Sequence, residues 1–133
     1  MTDHLGSLRK LSLFAGLDEA GLSSVASVAT EVEVHSGHVF VERGHPAAGC
    51  FVILAGDVVV DLPSGESIER GPGDFFGELS VLTDATRTAR VHATTDVRCL
   101  AIARDDLMRI VESEPTIAVA MLKTLAARLA AVT

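Results

Sequence analysis

From Glu31 onward the apolar residues of this chain recur every second position, and glycines cut the pattern into short pieces. Val32 and Val34 alternate with Glu31, Glu33 and His35, and Val39 and Val41 with His38, Phe40 and Glu42. A period of two puts successive side chains on opposite faces of a strand, so each piece buries one face only and needs partners. Gly37, Gly44, Pro46 and Gly49 break the next stretch into turns. Cys50 to Leu54 and Val58 to Leu62 flank Ala55-Gly56-Asp57 as a hairpin, and Pro63-Ser64-Gly65 marks another before Ser67 to Arg70. Val91 to Ala93 with Val97 to Ala103 reads as the last pair. Many short strands separated by glycine turns predict a small barrel or jelly roll.

Helical spacing brackets the strands. Leu5, Leu8, Leu11 and Leu13 predict a short helix ending near Phe14-Ala15-Gly16. Asp18 is placed as the N-cap of a second helix, with Leu17 and Leu22 as a hydrophobic staple and Leu22, Val25, Ala26 and Ala29 on one face. After the strands come Asp105 to Glu112 and then Pro115 to Thr133, where Pro115 suits a first helical turn. Leu122, Leu125, Leu129 and Val132 follow a 3-4-3 spacing thickened by Ile117 and Met121, which fits either packing on the strands or a homodimer seam. No glycine or asparagine stops this helix at Thr133, so the chain is expected to be part of something longer. The fold class is therefore mainly β with flanking helices: one domain over 1–133, with N-terminal helices in 1–30, a jelly-roll-like β-roll in 31–104 and C-terminal helices in 105–133.

The 133 residues suffice for one core. No apolar run approaches the roughly 18 residues that a membrane helix needs, and the acidic Met1-Thr2-Asp3-His4 start lacks signal-peptide character, so a cytoplasmic location is expected. A formal charge of −7 argues against gripping a nucleic-acid backbone directly. Cys50 and Cys99 lie in apolar strands and read as reduced core thiols.

One segment carries chemistry. Gly71-Pro72-Gly73-Asp74 leads into Phe75-Phe76-Gly77-Glu78-Leu79-Ser80, and Thr86-Arg87-Thr88-Ala89 follows after a short loop. A helical turn opening at Gly-Glu-Leu-Ser would aim backbone N–H groups at an anion. Arg87 would add a planar guanidinium able to donate two parallel hydrogen bonds to a phosphate. Glu78 has the opposite task, since a carboxylate beside an anion makes sense mainly as an acceptor for hydroxyls of the same ligand. Phosphate and hydroxyl together point to a nucleotide.

This pattern resembles the phosphate-binding cassette, here residues 75–89, of cyclic nucleotide-binding domains. The glycines at 37, 44, 56 and 73 and the Phe51-Val52-Ile53-Leu54 strand also fall where that family has its turns and strands. The resemblance implies an α-capped β-roll that binds cAMP or cGMP, with no further cofactor, and signals by moving its C-terminal helices. By that resemblance Glu78 takes the ribose 2′-hydroxyl, Arg87 and Thr88 take the cyclic phosphate, and Phe76, Gly77, Leu79, Ser80 and Ala89 complete the cradle. Thr88 is compatible with either nucleotide, and the bacterial character of the composition favours cAMP. Val132 and Thr133 stand where catabolite activator proteins cap the adenine, although Val132 lacks the hydroxyl.

Two other readings carry less weight. A fold-mate without ligand, serving in dimerisation, has no need of an acid and a guanidinium around an anion turn. A cupin-like metal site from His35, His38 and Glu42 is disfavoured because residues three apart on a continuous strand point to opposite faces. No nucleophile with a matching base emerges from the spacing, so the chain reads as a receptor rather than an enzyme.

Overall fold

The computed structural model describes residues 8, 10–44, 49–83 and 89–131. Its elements run α1 (Glu19–Val28), β1 (Ala29–Val34), β2 (Val39–Val41), β3 (Gly49–Ala55), β4 (Val58–Asp61), β5 (Ser67–Arg70), β6 (Phe75–Phe76), α2 (Glu78–Thr83), β7 (Arg90–Ala93), β8 (Val97–Ala103), α3 (Arg104–Ser113) and α4 (Pro115–Ala131). The strands form two antiparallel four-stranded sheets, ordered β1-β8-β3-β6 and β2-β7-β4-β5. The pairs β1·β8, β2·β7, β3·β6 and β4·β5 are nested, so the strand region is one long hairpin folded over on itself.

That topology corrects two expectations. The segments around Gly56 are not a hairpin: β3 belongs to the first sheet and β4 to the second. β7 and β8 are divided in the same way. Gly56 makes the first crossing at a φ of 91°, and a Cβ there would run into the Asp96 carbonyl. Among the described turns, the one between β4 and β5 closes a hairpin, with Leu62 N–H donating to Glu66 O at 2.8 Å.

The first sheet separates two apolar cores. On its outer side Cys50, Val52, Phe75, Leu100 and Ile102 pack against Leu22 and Val25 of α1, Leu107 and Ile110 of α3, and Ile117 and Met121 of α4. Between the sheets lie Val41, Ile53, Val58, Phe76, Val91, Val97 and Cys99. Alternation along β3 sends Val52 one way and Ile53 the other, and both are fully buried. Each such aliphatic side chain contributes roughly 1.5–3 kcal/mol.

At the N-terminus, Leu11 N–H donates to Leu8 O, Phe14 N–H to Leu11 O and Leu17 N–H to Phe14 O, at 3.0–3.1 Å. The expected helix over Leu5 to Phe14 thus ends in three-residue turns, with residues 1–7 and 9 outside the described set. Bonds of the i to i+3 type stack residues three apart, which buries Leu8, Leu11 and Phe14 together. Asp18 caps α1, its Oδ1 accepting from Gly21 N–H at 2.8 Å. The helix stops one residue short of the expected face, because Ala29 already pairs with Ile102 as the start of β1.

The C-terminal stripe also divides. Ile117 and Met121 are buried with Leu125 packed beside them, whereas Leu122 and Leu129 are 65% and 63% exposed. At 3.6 residues per turn, positions 122 and 129 share a face that turns away from the core face of 117 and 121.

Cys50 and Cys99 are reduced and buried in different cores, on opposite sides of the first sheet. Burial pushes the Cys99 thiol up to about 11. A raised thiol stabilises the fold below its ordinary value near 9.0 and ceases to do so as pH climbs through about 11. Native protein at pH 8 is therefore expected to leave Cys99 unmodified by iodoacetamide over hours, as read by peptide mass spectrometry, and to label it within minutes in denaturant.

Candidate functional site: a buried carboxylate clamped by the last helix

The chain reaches the cassette through β6, where Phe51 and Phe76 are register partners and Val52 faces Phe75. Phe75 turns its ring to the helix side and Phe76 to the core between the sheets. Gly77 then takes a φ of 86°, a left-handed conformation that costs a residue with a Cβ about 1–2 kcal/mol. This reversal ends β6 and starts α2 at Glu78, which is 3% exposed and the one charged residue buried this deeply among those described.

A carboxylate removed from water requires compensating charge and hydrogen bonds. Arg128 of α4 supplies both, donating from Nη1 to Glu78 Oε1 at 3.0 Å and from Nη2 to the Phe75 carbonyl at 2.7 Å. Its guanidinium carbon lies 4.6 Å from the centroid of the Phe75 ring, within cation–π range. Burial holds the Arg128 guanidinium below its ordinary value. The Glu78 carboxylate opposes that shift, Arg70 adds to it, and Asp74 opposes it. An arginine keeps its charge through such shifts, so the pair is ionic. Its side chains are 20% and 4% exposed, which shields it from solvent far more than an ordinary surface pair.

Of the residues expected at the site, Phe76 ends β6, Gly77 makes the reversal, Glu78 is the buried carboxylate that accepts from Arg128, and Leu79 and Ser80 lie in the first turn of α2. Ala89 lies directly before β7. Arg87, Thr88, Val132 and Thr133 lie outside the described residues. Sequence reasoning missed Arg128. The signal was present, because Ile117, Met121 and Leu125 step along the core face of α4 and the next position on that face, three residues on, is an arginine.

His35, His38 and Glu42 do not assemble. His35 Nδ1 is 3.8 Å from Asp96 Oδ1, His38 stands edge-on to Phe40, and Glu42 Oε2 accepts from Arg90 Nε at 3.3 Å. Among the described residues no three His, Cys, Asp or Glu side chains gather in a way that could hold a metal ion.

Removing Arg128 strands a buried carboxylate. Arg128→Ala is expected to lower the unfolding free energy by about 3 kcal/mol in urea titrations, whereas Arg109→Ala, which removes an exposed i,i+3 pair with Asp106, should change it by less than about 0.5 kcal/mol.

The profile of the cyclic nucleotide-binding domain family matches residues 31–114, which span the roll, the cassette and α3. Among curated proteins, the chain is 28% identical over 127 residues to the CRP-like cAMP-activated global transcriptional regulator of Mycobacterium tuberculosis, covering 92% of this chain and 57% of that protein. It is 33% identical over 112 residues to a cyclic nucleotide-gated potassium channel of Mesorhizobium japonicum, covering 84% of this chain and 31% of the channel. The chain thus spans little more than half of the one relative and about a third of the other. Among solved structures, the catabolite activator protein of Thermus thermophilus superposes with a TM-score of 0.77 at 26% identity, over 90% of this chain and 59% of that one. With the cassette, the nested roll and the family profile in agreement, the chain belongs to the cyclic nucleotide-binding domain family.

Proposed function

We propose that this chain is a regulatory module that binds cAMP and passes occupancy to whatever it is joined to through α4. The observation that carries the proposal is the buried Glu78 carboxylate, which opens α2 within the cassette and is tied to the last helix by Arg128. A carboxylate can accept several hydrogen bonds at once. Glu78 is therefore suited to receive the ribose 2′-hydroxyl while still engaged with Arg128. Arg87 and Thr88 take the cyclic phosphate, assisted by backbone N–H groups around Gly77 to Ser80. cAMP is preferred to cGMP because one similar protein is named as a cAMP-activated regulator. By the family resemblance, Val132 and Thr133 cover the base.

Signalling needs a ligand that prefers one helix arrangement over another, and coupling of about 1–3 kcal/mol is usual. A nucleotide sharing Glu78 alters the charge balance that fixes Arg128, and Arg128 is part of α4. Movement at the cassette is thereby felt one helix away. The module acts as a receptor and not as a catalyst, in the cytoplasm. Among the described residues no helix is long and apolar enough to cross a membrane.

The exposed face of α4 supplies a second element of the proposal. Val119, Leu122 and Leu129 are 47%, 65% and 63% exposed on a helix whose opposite side is in the core. Spacings of three and seven fit a two-helix seam, so α4 is suited to pair with α4 of a second copy. Sedimentation is expected to give a dimer that Leu129→Glu converts to monomer, with the melting temperature of the monomer retained within a few degrees.

The direct test is isothermal titration of nucleotide-free protein with cAMP and, separately, cGMP. Saturable binding is expected, tighter for cAMP, and Arg87→Ala should weaken it by about ten- to a hundredfold, the value of a hydrogen-bonded charge. An unchanged titration for that variant would remove Arg87 from the site. No binding by the wild type would leave a module that only dimerises.

A further inference from the structure

Each sheet has two edges, and three of the four edge strands are short: β2 has three residues and a bulge, β5 has four residues and β6 two. The fourth, β1, runs over six residues from Ala29 to Val34 and pairs with β8 alone among the described residues. An edge strand carries a row of backbone N–H and C=O groups directed away from its neighbour, which another extended chain can take up. β6, which leads into the cassette, is the opposite edge of the same sheet, with β8 and β3 in between. The open edge of β1 is thus a surface separate from the nucleotide site.

The side chains of β1 say what such a chain must carry. Ala29 lies in the helix-side core, and Glu31 and Glu33 follow it on that face of the strand. Val32 and Val34, on the other face, pack against the core between the sheets and stay half-buried. From β8, Arg98 stands opposite Glu33 and lies 3.7 Å from Glu31, so the inner neighbour of β1 already sets a cation beside these carboxylates. The outer side has none among the described residues. At the end of the strand is an open depression of about 450 Å³ lined by Glu33, His35, Ala55, Asp96 and Arg98 among others. Arg98 is engaged by Glu31, and His35 lies 3.8 Å from Asp96, which leaves the exposed Glu33 without an ion pair among the described residues. In-register pairing of β1 with β1 of a second copy would set carboxylates beside carboxylates, which like charges oppose.

We propose that the open edge of β1 docks an extended segment of a partner protein in which basic residues alternate with β-branched ones. The added strand takes the outward backbone groups of β1. Its lysines or arginines stand beside Glu31 and Glu33, and its valines or isoleucines extend the apolar row of Val32 and Val34. The formal charge of −7 favours the encounter with a basic segment.

The test titrates the isotopically labelled full chain, without nucleotide, with the hexapeptide acetyl-Lys-Val-Lys-Val-Lys-Val-amide and follows backbone amide shifts by NMR. Its acidic counterpart, acetyl-Glu-Val-Glu-Val-Glu-Val-amide, is the control. The basic peptide should give saturable shifts over residues 29–34, leave residues 75–83 unmoved and bind more weakly as salt is added. The acidic peptide should give no saturable shift. Charge reversal by Glu31→Lys with Glu33→Lys should weaken the basic peptide about tenfold and confer binding of the acidic one, since two cross-strand pairs change sign. Glu33→Lys alone, at an exposed position, should show the same exchange in smaller measure and decides the matter should the double variant fail to fold. No saturable shift in β1, equal binding of the two peptides, or an affinity for the basic peptide that survives charge reversal would overturn the proposal. Shifts in β1 that follow protein concentration without any peptide would assign the edge to a second copy and overturn it as well.

Discussion

A carboxylate taken out of water must be answered by charge and hydrogen bonds, and Glu78 is answered by a side chain fifty residues further along the chain. The cost of leaving it unanswered is several kcal/mol, a large share of the stability of a domain this size. Its partner Arg128 also holds the Phe75 carbonyl and covers the Phe75 ring. One guanidinium therefore joins the end of β6, the start of α2 and the last helix. The position of α4 over the roll depends on this contact as well as on the burial of Ile117 and Met121.

The rest of the architecture serves to bring those parts within reach. Nested pairing makes the strands a hairpin folded back on itself, so that β6 lies at the edge of the first sheet and β7 lies within the second. The cassette thus runs from a strand of the first sheet to a strand of the second. Because the first sheet separates two cores, a change at β6 has two routes outward: through Phe75 to the helices, and through Phe76 to the core between the sheets. Two adjacent phenylalanines thus divide between the helix side and the core between the sheets.

Much of this is legible in the chain. The period-two runs, the capping Asp18 and the Gly-Glu-Leu-Ser turn are local signals, and local signals survive folding. Pairing is less legible. Strands on either side of Gly56 read as a hairpin because proximity in sequence favours one, yet the folded-over topology gives them to different sheets. The stripe on α4 reads as a single face because leucines at 122, 125 and 129 are equally apolar. Only tertiary packing decides that Leu122 and Leu129 stay exposed. Arg128 escapes notice for a related reason: a charge on a helix is ordinarily solvated, and its burial follows from a carboxylate that sequence cannot place beside it.

The central claim is that the nucleotide and α4 are coupled through the Glu78–Arg128 contact. The measurement that tests it most directly is amide hydrogen exchange along α4 with and without cAMP, in the wild type and in Arg128→Lys, which keeps the charge but not the two-pronged geometry. The account predicts that cAMP changes protection across residues 121–131 in the wild type and that the change is largely lost in the variant. Ligand binding that leaves α4 exchange unaltered in the wild type, or a full response in Arg128→Lys, would contradict it.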